Sequence, residues 1–390
     1  MSQHEQINLD KYKSKPTFTI TKISLNNFRN YSDLELFSNK SPVVIIGENG
    51  SGKTNILEAI SFLAPGKGLR SVKYEDVTHK SNKLGWSVSA IIDDTQNNFK
   101  PVIGTGIFES KKPNKSGRIL KVDEEFKPIS FLSKLLSILW ITPQMDGIFL
   151  GETSKRRKFF DRLVLNFDKE HIKQLNIYEK ALRDRSRILK DKINDEKWLD
   201  LIEKSLASSG VAISIARKNC INALNQKLFS VVGTFPAVKV IIDCNIQEWL
   251  DVMKPNEAEK KFIEEIKKTR SIDSLSGRSK IGPHRSDFKV VHLKKNLHAE
   301  KCSTGEQKAL LVAIILGQSR LLIDKDGRAP ILLLDDIVAH LDYAHLDSLF
   351  SELFTINPQV WVTATDPQTL QKIFSNFQLI KVADNKVHNV

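Results

Sequence analysis

VVIIGENGSGKTNILEAISFL, residues 43–63, decides the fold of this 390-residue chain. Its first four residues form an apolar run typical of a buried strand, and apolar residues recur at helical spacing from Ile56 to Leu63. Between them, residues 47–54 match the pattern G-x-x-x-x-G-K-[ST] at every fixed position. A strand, a glycine-rich loop and a helix in this order predict a phosphate-binding loop. A glycine-rich turn that matches by chance is the alternative.

The residue types of this loop suit a nucleotide with Mg²⁺. Glycine at positions 47, 50 and 52 lets the backbone fold closely around phosphate oxygens, and the free N–H groups point towards them. Lys53 is expected to neutralise the β- and γ-phosphates, and the Thr54 hydroxyl to ligate Mg²⁺. The predicted nucleotide-binding residues are Gly47, Glu48, Asn49, Gly50, Ser51, Gly52, Lys53 and Thr54.

APILLLDDIVAHLD, residues 329–342, supplies the carboxylates that such a loop needs. Residues 331–334 are typical of a buried parallel strand, and Asp335 follows at the end where doubly wound sheets bind ligands. We expect Asp335 to hold Mg²⁺ through water and Asp336 to act as the general base that orients the attacking water. Two turn aspartates are the alternative. Together with the loop, this strand predicts a nucleotide hydrolase.

CSTGEQKALL, residues 302–311, is a small polar run that opens a second helical pattern. The first turn of a helix has N–H groups free to bind an anion, although a simple helix cap gives the same pattern. The order of the phosphate loop, this run and the Asp-Asp strand is that of ABC-type ATPases, and the run resembles their signature motif. There the helix start caps the γ-phosphate held by the other protomer, so the predicted site is incomplete in a monomer. The signature residues are Ser303, Thr304, Gly305, Glu306 and Gln307, and residues 340–342 form the predicted D-loop of the same interface.

A long insertion separates the phosphate loop from the signature. Apolar residues between 175 and 216 recur at three and four, and the polar stretch DKINDEKW, residues 191–198, interrupts them. This pattern predicts an antiparallel helical hairpin, too short for a long coiled-coil arm. The predicted fold is α/β: an ABC-type P-loop ATPase head, a mixed sheet with helices, formed by residues 1–165 and 275–390. Residues 166–274 form a mostly helical inserted lobe.

Composition restricts the compartment and the partner. No apolar run approaches the roughly 18 residues that cross a bilayer, and residues 1–16 are too polar for a signal peptide, so we expect a cytoplasmic protein. Cys220, Cys244 and Cys302 are widely spaced, which indicates neither a disulfide framework nor a zinc site. The net charge of +13 favours a polyanionic partner, either nucleic acid or an acidic membrane surface.

The densest basic stretch runs from Glu152 to Lys192, with thirteen Lys or Arg against seven Asp or Glu, a net charge of +6. Its core is formed by Lys155, Arg156, Arg157 and Lys158. Such a cluster can contact the phosphate backbone of DNA without reading its sequence. A solvated helical face, or packing of the two arginines within the protein, is the alternative. Arg70, in the loop GKGLRS, is a further candidate for phosphate contact.

The order of several motifs resembles the RecF family of recombination and repair ATPases, which are related to the SMC and Rad50 heads. The resemblance runs from about Phe18 to about Val382, and its most specific part is GPHRSDF combined with STGEQK. The motifs are ISLNNFRNYSDLEL, GENGSGKTNILEAI, GKGLRS, RRKFFDRLV, GPHRSDF, STGEQKALLVAIILGQ and LLLDDIVAHLD.

The resemblance implies cofactors and partners that composition and spacing do not. It implies an ATP-dependent homodimer that binds double-stranded DNA near single-strand gaps. It also implies RecR as a partner, acting with RecO to load RecA onto single strands coated by single-strand-binding protein.

Some positions depart from the ABC pattern. Gln144, in ITPQMDGIF, is a candidate Q-loop glutamine on the magnesium side. Asp336 stands where ABC ATPases usually have glutamate and is shorter by one methylene, which predicts slow hydrolysis suited to a switch. The strand VWVTATD carries no histidine, which leaves Thr363, Thr365 and Asp366 as candidates for contact with the γ-phosphate side.

Two further motifs each allow two interpretations. GPHRSDF, residues 282–288, is interpreted as an ion-paired turn, with a nucleotide or DNA contact as the alternative. Arg29 either reaches the nucleotide or is an ordinary surface arginine.

Two other classes of protein share the ABC arrangement. A transporter ATPase subunit would need a membrane partner and would lack the inserted lobe. An SMC-like chromosome organiser would need long arms.

Overall fold

The computed structural model describes residues 18–79, 85–95, 97–108, 117–191, 195–373, 376–383 and 385–389. The polar tail at residues 1–16 and part of the predicted turn at residues 191–198 lie outside these ranges. The chain forms two compact units. The first unit comprises Met1–Asp146, Val231–Pro236 and Thr304–Val390, and the second comprises Gly147–Ser230 and Ala237–Ser303.

Strands and helices are numbered along the chain. The strands are β1 (Phe18–Phe28), β2 (Tyr31–Phe37), β3 (Val43–Ile46), β4 (Gly85–Asp94), β5 (Val102–Phe108), β6 (Ile119–Val122), β7 (Glu125–Lys127), β8 (Ile138–Ile141), β9 (Val238–Asp243), β10 (Asp287–His292), β11 (Leu297–His298), β12 (Ile331–Leu334), β13 (Val360–Ala364), β14 (Gln378–Ala383) and β15 (Lys386–Asn389). The α-helices are α1 (Lys53–Ser61), α2 (Leu132–Leu135), α3 (Thr153–Phe167), α4 (His171–Lys190), α5 (Glu196–Leu228), α6 (Asn245–Val252), α7 (Pro255–Lys268), α8 (Arg270–Ser276), α9 (Thr304–Asp326), α10 (Ile337–His340), α11 (Tyr343–Ile356) and α12 (Gln368–Ile373).

A mostly parallel sheet forms the centre of the first unit, in the order β15-β14-β3-β13-β12-β8. Its strands pair in parallel except for β15, which runs antiparallel to β14. The sequences of β3, β8 and β12 are VVII, ILWI and ILLL, the continuous apolar runs expected of strands covered on both faces. The carboxyl ends of β3 and β12 therefore open at the same edge of the sheet.

A second sheet of the first unit is antiparallel, in the order β2-β1-β4-β5-β6-β7. Aromatic rings pack beneath it, with the ring centroids of Phe62 and Trp86 4.8 Å apart and those of Phe28 and Trp86 5.5 Å apart. Gln359, which precedes β13, is 1% exposed and joins the two sheets. Its Oε1 accepts from the N–H of Ile20 at 2.8 Å and its Nε2 donates to the carbonyl of the same residue at 2.8 Å.

Helix α9 is a long and largely buried helix of this unit. Buried residues occur on every side of it from Ala309 to Leu322, and it packs against β8 and α11. A helix that is apolar all round belongs in a core or a membrane. In the part of the chain that the structure describes, no helix is long and apolar enough to cross a membrane.

The second unit contains the predicted helical hairpin. Helices α4 and α5 pack together, and Arg185 of α4 pairs with Glu203 of α5, which is possible only if the two helices run antiparallel around their short connection. At Gly210 an added Cβ would lie 2.7 Å from Phe262 and 3.1 Å from Tyr178, so the helices approach too closely for any side chain there. The unit also has a three-stranded antiparallel sheet, β11-β10-β9, that the sequence did not predict.

The limits of the second unit differ from the predicted lobe, residues 166–274. The structure adds residues 147–165 and 275–303 to it, because helix α3 packs on strand β10, and it assigns residues 231–236 to the first unit. The rings of Phe160 and Phe288 stack with centroids 4.6 Å apart, and Arg156 forms an ion pair with Asp287. These contacts join residues more than a hundred positions apart, where hydrophobic periodicity carries no information.

A buried ionic network fixes the helices of the second unit. The guanidinium of Arg185 is fully buried and donates to Glu203 at 2.8 Å, to Asp273 at 2.7 Å and to the carbonyl of Ile266 at 2.7 Å. Arg270 forms a second ion pair with Glu203. Arg185 thus bridges two buried carboxylates on different helices, and one of them, Glu203, has a second arginine partner.

We expect Arg185→Met to reduce the free energy of unfolding of the second unit by about 3 to 5 kcal/mol, because it leaves Glu203 and Asp273 buried without this partner. Arg187→Met is the matched control on the same helix. Its side chain is 61% exposed and lies 3.8 Å from Asp184, so the change should stay within about 0.5 kcal/mol. Urea unfolding followed by circular dichroism measures both, and equal losses would contradict the prediction.

Candidate nucleotide site

The loop after β3 needs glycine at two positions. At Gly47 an added Cβ would lie 2.4 Å from the carbonyl oxygen of Val382. At Gly52, where φ is 109°, it would lie 2.4 Å from Asn30 Nδ2 and 2.7 Å from the hydroxyl of Tyr31. Any larger residue would force these neighbours apart and open the loop.

Lys53 lies folded over its own loop. Its Nζ donates to the carbonyl oxygens of Gly47 at 2.6 Å and Glu48 at 2.9 Å. Burial lowers the pKa of Lys53, while the nearby charges of Asp336 and Asp335 act in the opposite direction. The ammonium group thus bonds to the loop carbonyls and interacts electrostatically with both carboxylates of the Asp-Asp strand.

Asp335, at the end of β12, hydrogen-bonds to Thr54 of the predicted phosphate-binding loop. The Thr54 hydroxyl donates to Asp335 Oδ1 at 2.8 Å, and the Thr363 hydroxyl donates to the same oxygen at 2.8 Å. The backbone N–H of Asp336 donates to Thr363 Oγ1 at 2.9 Å. Asp336 itself has left-handed backbone angles, φ 51° and ψ 33°, and stands at the start of α10. The structure therefore brings together the loop and both aspartates.

These residues enclose a cavity of about 230 Å³. It is lined by Asn49, Gly50, Gly52, Lys53, Thr54, Asn55, Arg70, Pro143, Asp335, Asp336 and Thr363. Ser51 Oγ is buried and has no hydrogen-bond partner among the described residues. An unused buried hydroxyl beside a lysine amine and glycine backbone fits a phosphate group, whose oxygens accept hydrogen bonds from all three.

The same residues fit Mg²⁺ only together with the nucleotide. No group of three or more His, Cys, Asp or Glu side chains that could hold a metal occurs among the residues the structure describes. The Thr54 hydroxyl can supply one oxygen and Asp335 can hold the ion through water, and Mg²⁺ usually takes its remaining ligands from phosphates and further water. Metal binding at this site should therefore depend on nucleotide.

Arg29 and Arg70 meet on a buried carboxylate that the sequence analysis missed. Glu58 of α1 is fully buried, and both of its oxygens accept from Arg29, at 2.7 and 2.8 Å. Arg70 NH1 donates to Glu58 at 2.8 Å and to Asn55 at 2.8 Å, and Arg70 also lines the cavity. The structure thus places Arg70 at the candidate nucleotide site. The available signal was a carboxylate one turn after Thr54, between the apolar residues Leu57 and Ala59.

Gln144 is exposed in a single helical turn after β8. Its neighbour Pro143 lines the cavity, whereas Gln144 is not among the lining residues. A Q-loop role for Gln144 stays a prediction.

The signature stretch begins helix α9. Ser303, Thr304 and Gly305 are exposed, Glu306 is half-buried and Gln307 is buried. None of residues 304–307 is among the residues that line the cavity.

Asp342 of the predicted D-loop caps helix α11. Its carboxylate accepts from the N–H of His345 at 2.9 Å and contacts the imidazole of that residue at 2.9 Å. The side chain of His340 lies outside the part of the chain that the structure describes.

The predicted basic cluster is divided between internal and exposed positions. Arg156 donates twice to Asp287, each time at 2.8 Å, and Arg157 donates to the carbonyl of Ser286 at 2.7 Å. These two arginines hold the GPHRSDF turn, which confirms its interpretation as an ion-paired turn. Lys155 and Lys158 are exposed. Two of the four cluster residues thus remain accessible to a DNA backbone.

His284 of this turn is held as a neutral imidazole. Its Nε2 lies 2.9 Å from the carbonyl of Ser279 and must carry the proton, so Nδ1 accepts from the hydroxyl of Tyr178 at 2.7 Å. Burial lowers the pKa of His284 to about 4, and the charges of Arg285 and Arg157 act in the same direction.

The geometry defines a class of protein: a glycine-rich loop, an Asp-Asp strand end on a parallel sheet, and a separate exposed helix start form an ABC-type ATPase head. Residues 19–388 match the family described as RecF/RecN/SMC N terminal domain. The DNA replication and repair protein RecF of Rhizobium meliloti (strain 1021) is 36% identical over 370 residues, which cover 94% of this chain and 98% of the relative. The corresponding protein of Rickettsia felis is 40% identical over 362 residues, which cover 92% and 97%. The chain belongs to the RecF family.

A solved structure shares the fold. It is described as the recombination mediator protein RecF-ATP in the RecFOR pathway, and its comparison with this chain has a TM-score of 0.81 at 23% identity. The match covers 96% of this chain and 99% of the solved chain. The arrangement of sheets and helices is therefore that of this family.

The neutral imidazole makes the stability of the second unit depend on pH. The pKa of His284 is lower in the folded than in the unfolded chain, so its contribution is complete above pH 6.5 and is lost as the pH falls towards 4. We expect a loss of up to about 3 kcal/mol across this window, at about 1.4 kcal/mol per pH unit. Urea unfolding at several pH values should show this slope in wild type and a flatter one in His284→Asn, which keeps an acceptor for Tyr178. Equal slopes would contradict the assignment.

Proposed function

We propose that this protein is an ATP- and Mg²⁺-dependent DNA-binding homodimer of recombinational repair and replication restart. ATP joins two heads over DNA at gaps, and slow hydrolysis releases them. The proposal gives ATP the role of a switch between two assembly states rather than the fuel of a motor.

One observation supports the proposed ATP-dependent dimer. The cavity gathers Lys53, Thr54, Asp335 and Asp336, yet residues 304–307 are not among the residues that line it. Ser303, Thr304 and Gly305 stand exposed at the start of a 23-residue helix. An exposed helix start binds anions well, and a γ-phosphate held in the cavity of one protomer is the anion that this proposal assigns to the signature of the other.

The residues that line the cavity have different proposed roles in ATP hydrolysis. Lys53 and the loop N–H groups hold the phosphates, and Thr54 and Asp335 are placed to hold Mg²⁺, which supplies charge neutralisation at the phosphates when bound. Asp336 is the second carboxylate among the residues that line the cavity, and the Thr54 hydroxyl donates to Asp335 instead, so Asp336 is the candidate base for the attacking water. Its short side chain supports slow turnover.

We expect ATP with Mg²⁺ to convert wild type from monomer to dimer, as measured by sedimentation velocity. Lys53→Met should abolish dimerisation by removing the phosphate contact in cis. Ser303→Arg should abolish it by blocking the signature in trans, while ATP binding to the monomer remains. A mixture of the two variants should recover at most one working site per dimer. Dimerisation that does not depend on ATP, or a Ser303→Arg variant that dimerises like wild type, would contradict the proposal that the signature acts in trans.

Duplex DNA is the proposed polyanionic partner. Its binding is supported by the net charge of +13 and by the family, whose named members are DNA replication and repair proteins. Within the basic cluster, Lys155 and Lys158 project from α3 as exposed side chains, while Arg156 and Arg157 are occupied by the GPHRSDF turn. We assign the backbone contact of this region to the two lysines.

The double variant Lys155→Gln/Lys158→Gln should weaken duplex binding and lower the slope of log affinity against log salt by about 1 for each lost phosphate contact. Fluorescence anisotropy across a salt series measures this slope. Lys204→Gln/Lys260→Gln is the matched control, because it removes the same charge from exposed positions of the same unit. If both double variants change the slope equally, general charge rather than this cluster governs binding.

RecR is the proposed protein partner, acting with RecO and RecA. This assignment rests on membership of the RecF family and on the solved relative, which is described within the RecFOR pathway.

A further inference from the structure

We propose that Thr363 is a positioning residue that sets the geometry of both aspartates, and thereby the rate of hydrolysis and its Mg²⁺ requirement. The inference rests on the proposed ATPase function and assigns a specific task to a residue that was only a general candidate for phosphate contact.

The hydroxyl of Thr363 connects the two aspartates. A hydroxyl has one proton to donate, and Thr363 gives it to Asp335 Oδ1 at 2.8 Å. Its oxygen accepts the backbone N–H of Asp336 at 2.9 Å. The side chain is 1% exposed, so water does not compete for either bond. One atom therefore fixes the metal-side carboxylate and the backbone of the candidate base together.

The strand that carries Thr363 makes it a rigid support. Strand β13 lies between β3 and β12, and Thr363 is paired with Ile45 in the strand that leads into the phosphate loop. The neighbouring Val362 is paired with Leu334, which directly precedes Asp335. Thr363 therefore fixes the positions of both aspartates relative to the strands that also position the loop.

The hydrogen bond from Thr363 to Asp335 matters most when the Thr54 hydroxyl turns from Asp335 to a metal ion. In the structure, Thr54 and Thr363 both donate to Asp335 Oδ1. Turning the Thr54 oxygen towards a metal ion would weaken its bond to Asp335. Among the residues that the structure describes, the Thr363 bond would then be the side-chain hydrogen bond left to orient this carboxylate.

The backbone of Asp336 also needs an anchor. Its φ of 51° is uncommon for a residue with a side chain and carries a conformational cost. The N–H donated to Thr363 helps to hold this conformation at the start of α10. Without that acceptor, Asp336 can relax and its carboxylate leaves the cavity.

The test compares Thr363→Val, which keeps the shape and removes the hydroxyl, with Thr363→Ser, which keeps the hydroxyl. Steady-state ATP hydrolysis is measured with duplex DNA across a Mg²⁺ titration, and metal-free ATP binding is measured with a fluorescent analogue. For Thr363→Val we expect kcat to fall about 10- to 100-fold and the Mg²⁺ requirement to rise by a similar factor, as for other residues that support metal ligands. Metal-free ATP affinity should change less than about twofold, since the loop contacts remain. Thr363→Ser should restore most of kcat.

Thr19→Val is the matched control for losing a buried threonine hydroxyl. Thr19 is fully buried in β1, and its Oγ1 has no hydrogen-bond partner among the described residues. It should keep the wild-type kcat and Mg²⁺ requirement. If Thr363→Val does not fold, as judged by circular dichroism, Thr363→Ala replaces it in the same comparison with Thr363→Ser.

The possible outcomes distinguish a failure of the Thr363 proposal from a failure of the proposed ATPase function. Wild type that binds ATP but never hydrolyses it would overturn the proposed ATPase function. Hydrolysis in wild type that persists unchanged in Thr363→Val would overturn the role of Thr363 alone. A loss of kcat that Thr363→Ser does not restore, or that leaves the Mg²⁺ requirement unchanged, would also overturn it, because the hydroxyl would then not be the active element.

Discussion

Strand β3 hydrogen-bonds to β13 on one side and to β14 on the other, and the rest of the structure depends on this parallel pairing. It joins a strand near the beginning of the chain to two near the end. Because β13 also pairs with β12, the carboxyl ends of β3 and β12 open together. The loop of Lys53 and the carboxylates of Asp335 and Asp336 meet there for that reason. Apart from residues 231–236, the second unit occupies the stretch of chain between the two halves.

Buried carboxylates are stabilised in both units by shared hydrogen bonds. In the first unit, Glu58 accepts from two arginines and Asp335 from two threonines. In the second, Glu203 pairs with two arginines. A buried charge is tolerated only when its lone pairs are satisfied, so each arrangement restricts the conformations of several elements at once. At the candidate site this restriction also positions the groups that the proposed chemistry requires.

The parts of this molecule that sequence could predict are those encoded locally. The glycine spacing around Lys53, the apolar run before Asp335 and the helical repeat of the α4–α5 hairpin are each contained within a few turns or one strand. The limits of the second unit were not predictable, because stacking of Phe160 on Phe288 leaves no periodic trace.

The same limit applies to the polar contacts of the candidate site. The bond from Thr363 to Asp335 joins residues 28 positions apart, and that from Thr54 to Asp335 joins residues 281 positions apart. Local sequence patterns indicate the residues of the site, whereas only the tertiary fold brings their hydrogen-bond partners together.

The separation of β3 from its sheet neighbours has a consequence for synthesis on the ribosome. Strand β3 ends at Ile46, and its neighbour β13 begins only at Val360. Both edges of this apolar strand therefore lack their pairing strands while the intervening chain is synthesised. At about 5 to 20 residues per second, that wait is on the order of 15 to 60 s. Throughout it, VVII presents unpaired N–H and C=O groups and apolar side chains, the combination that invites aggregation. The second unit, whose residues are complete by Ser303, can therefore fold while β3 still lacks both of its neighbours.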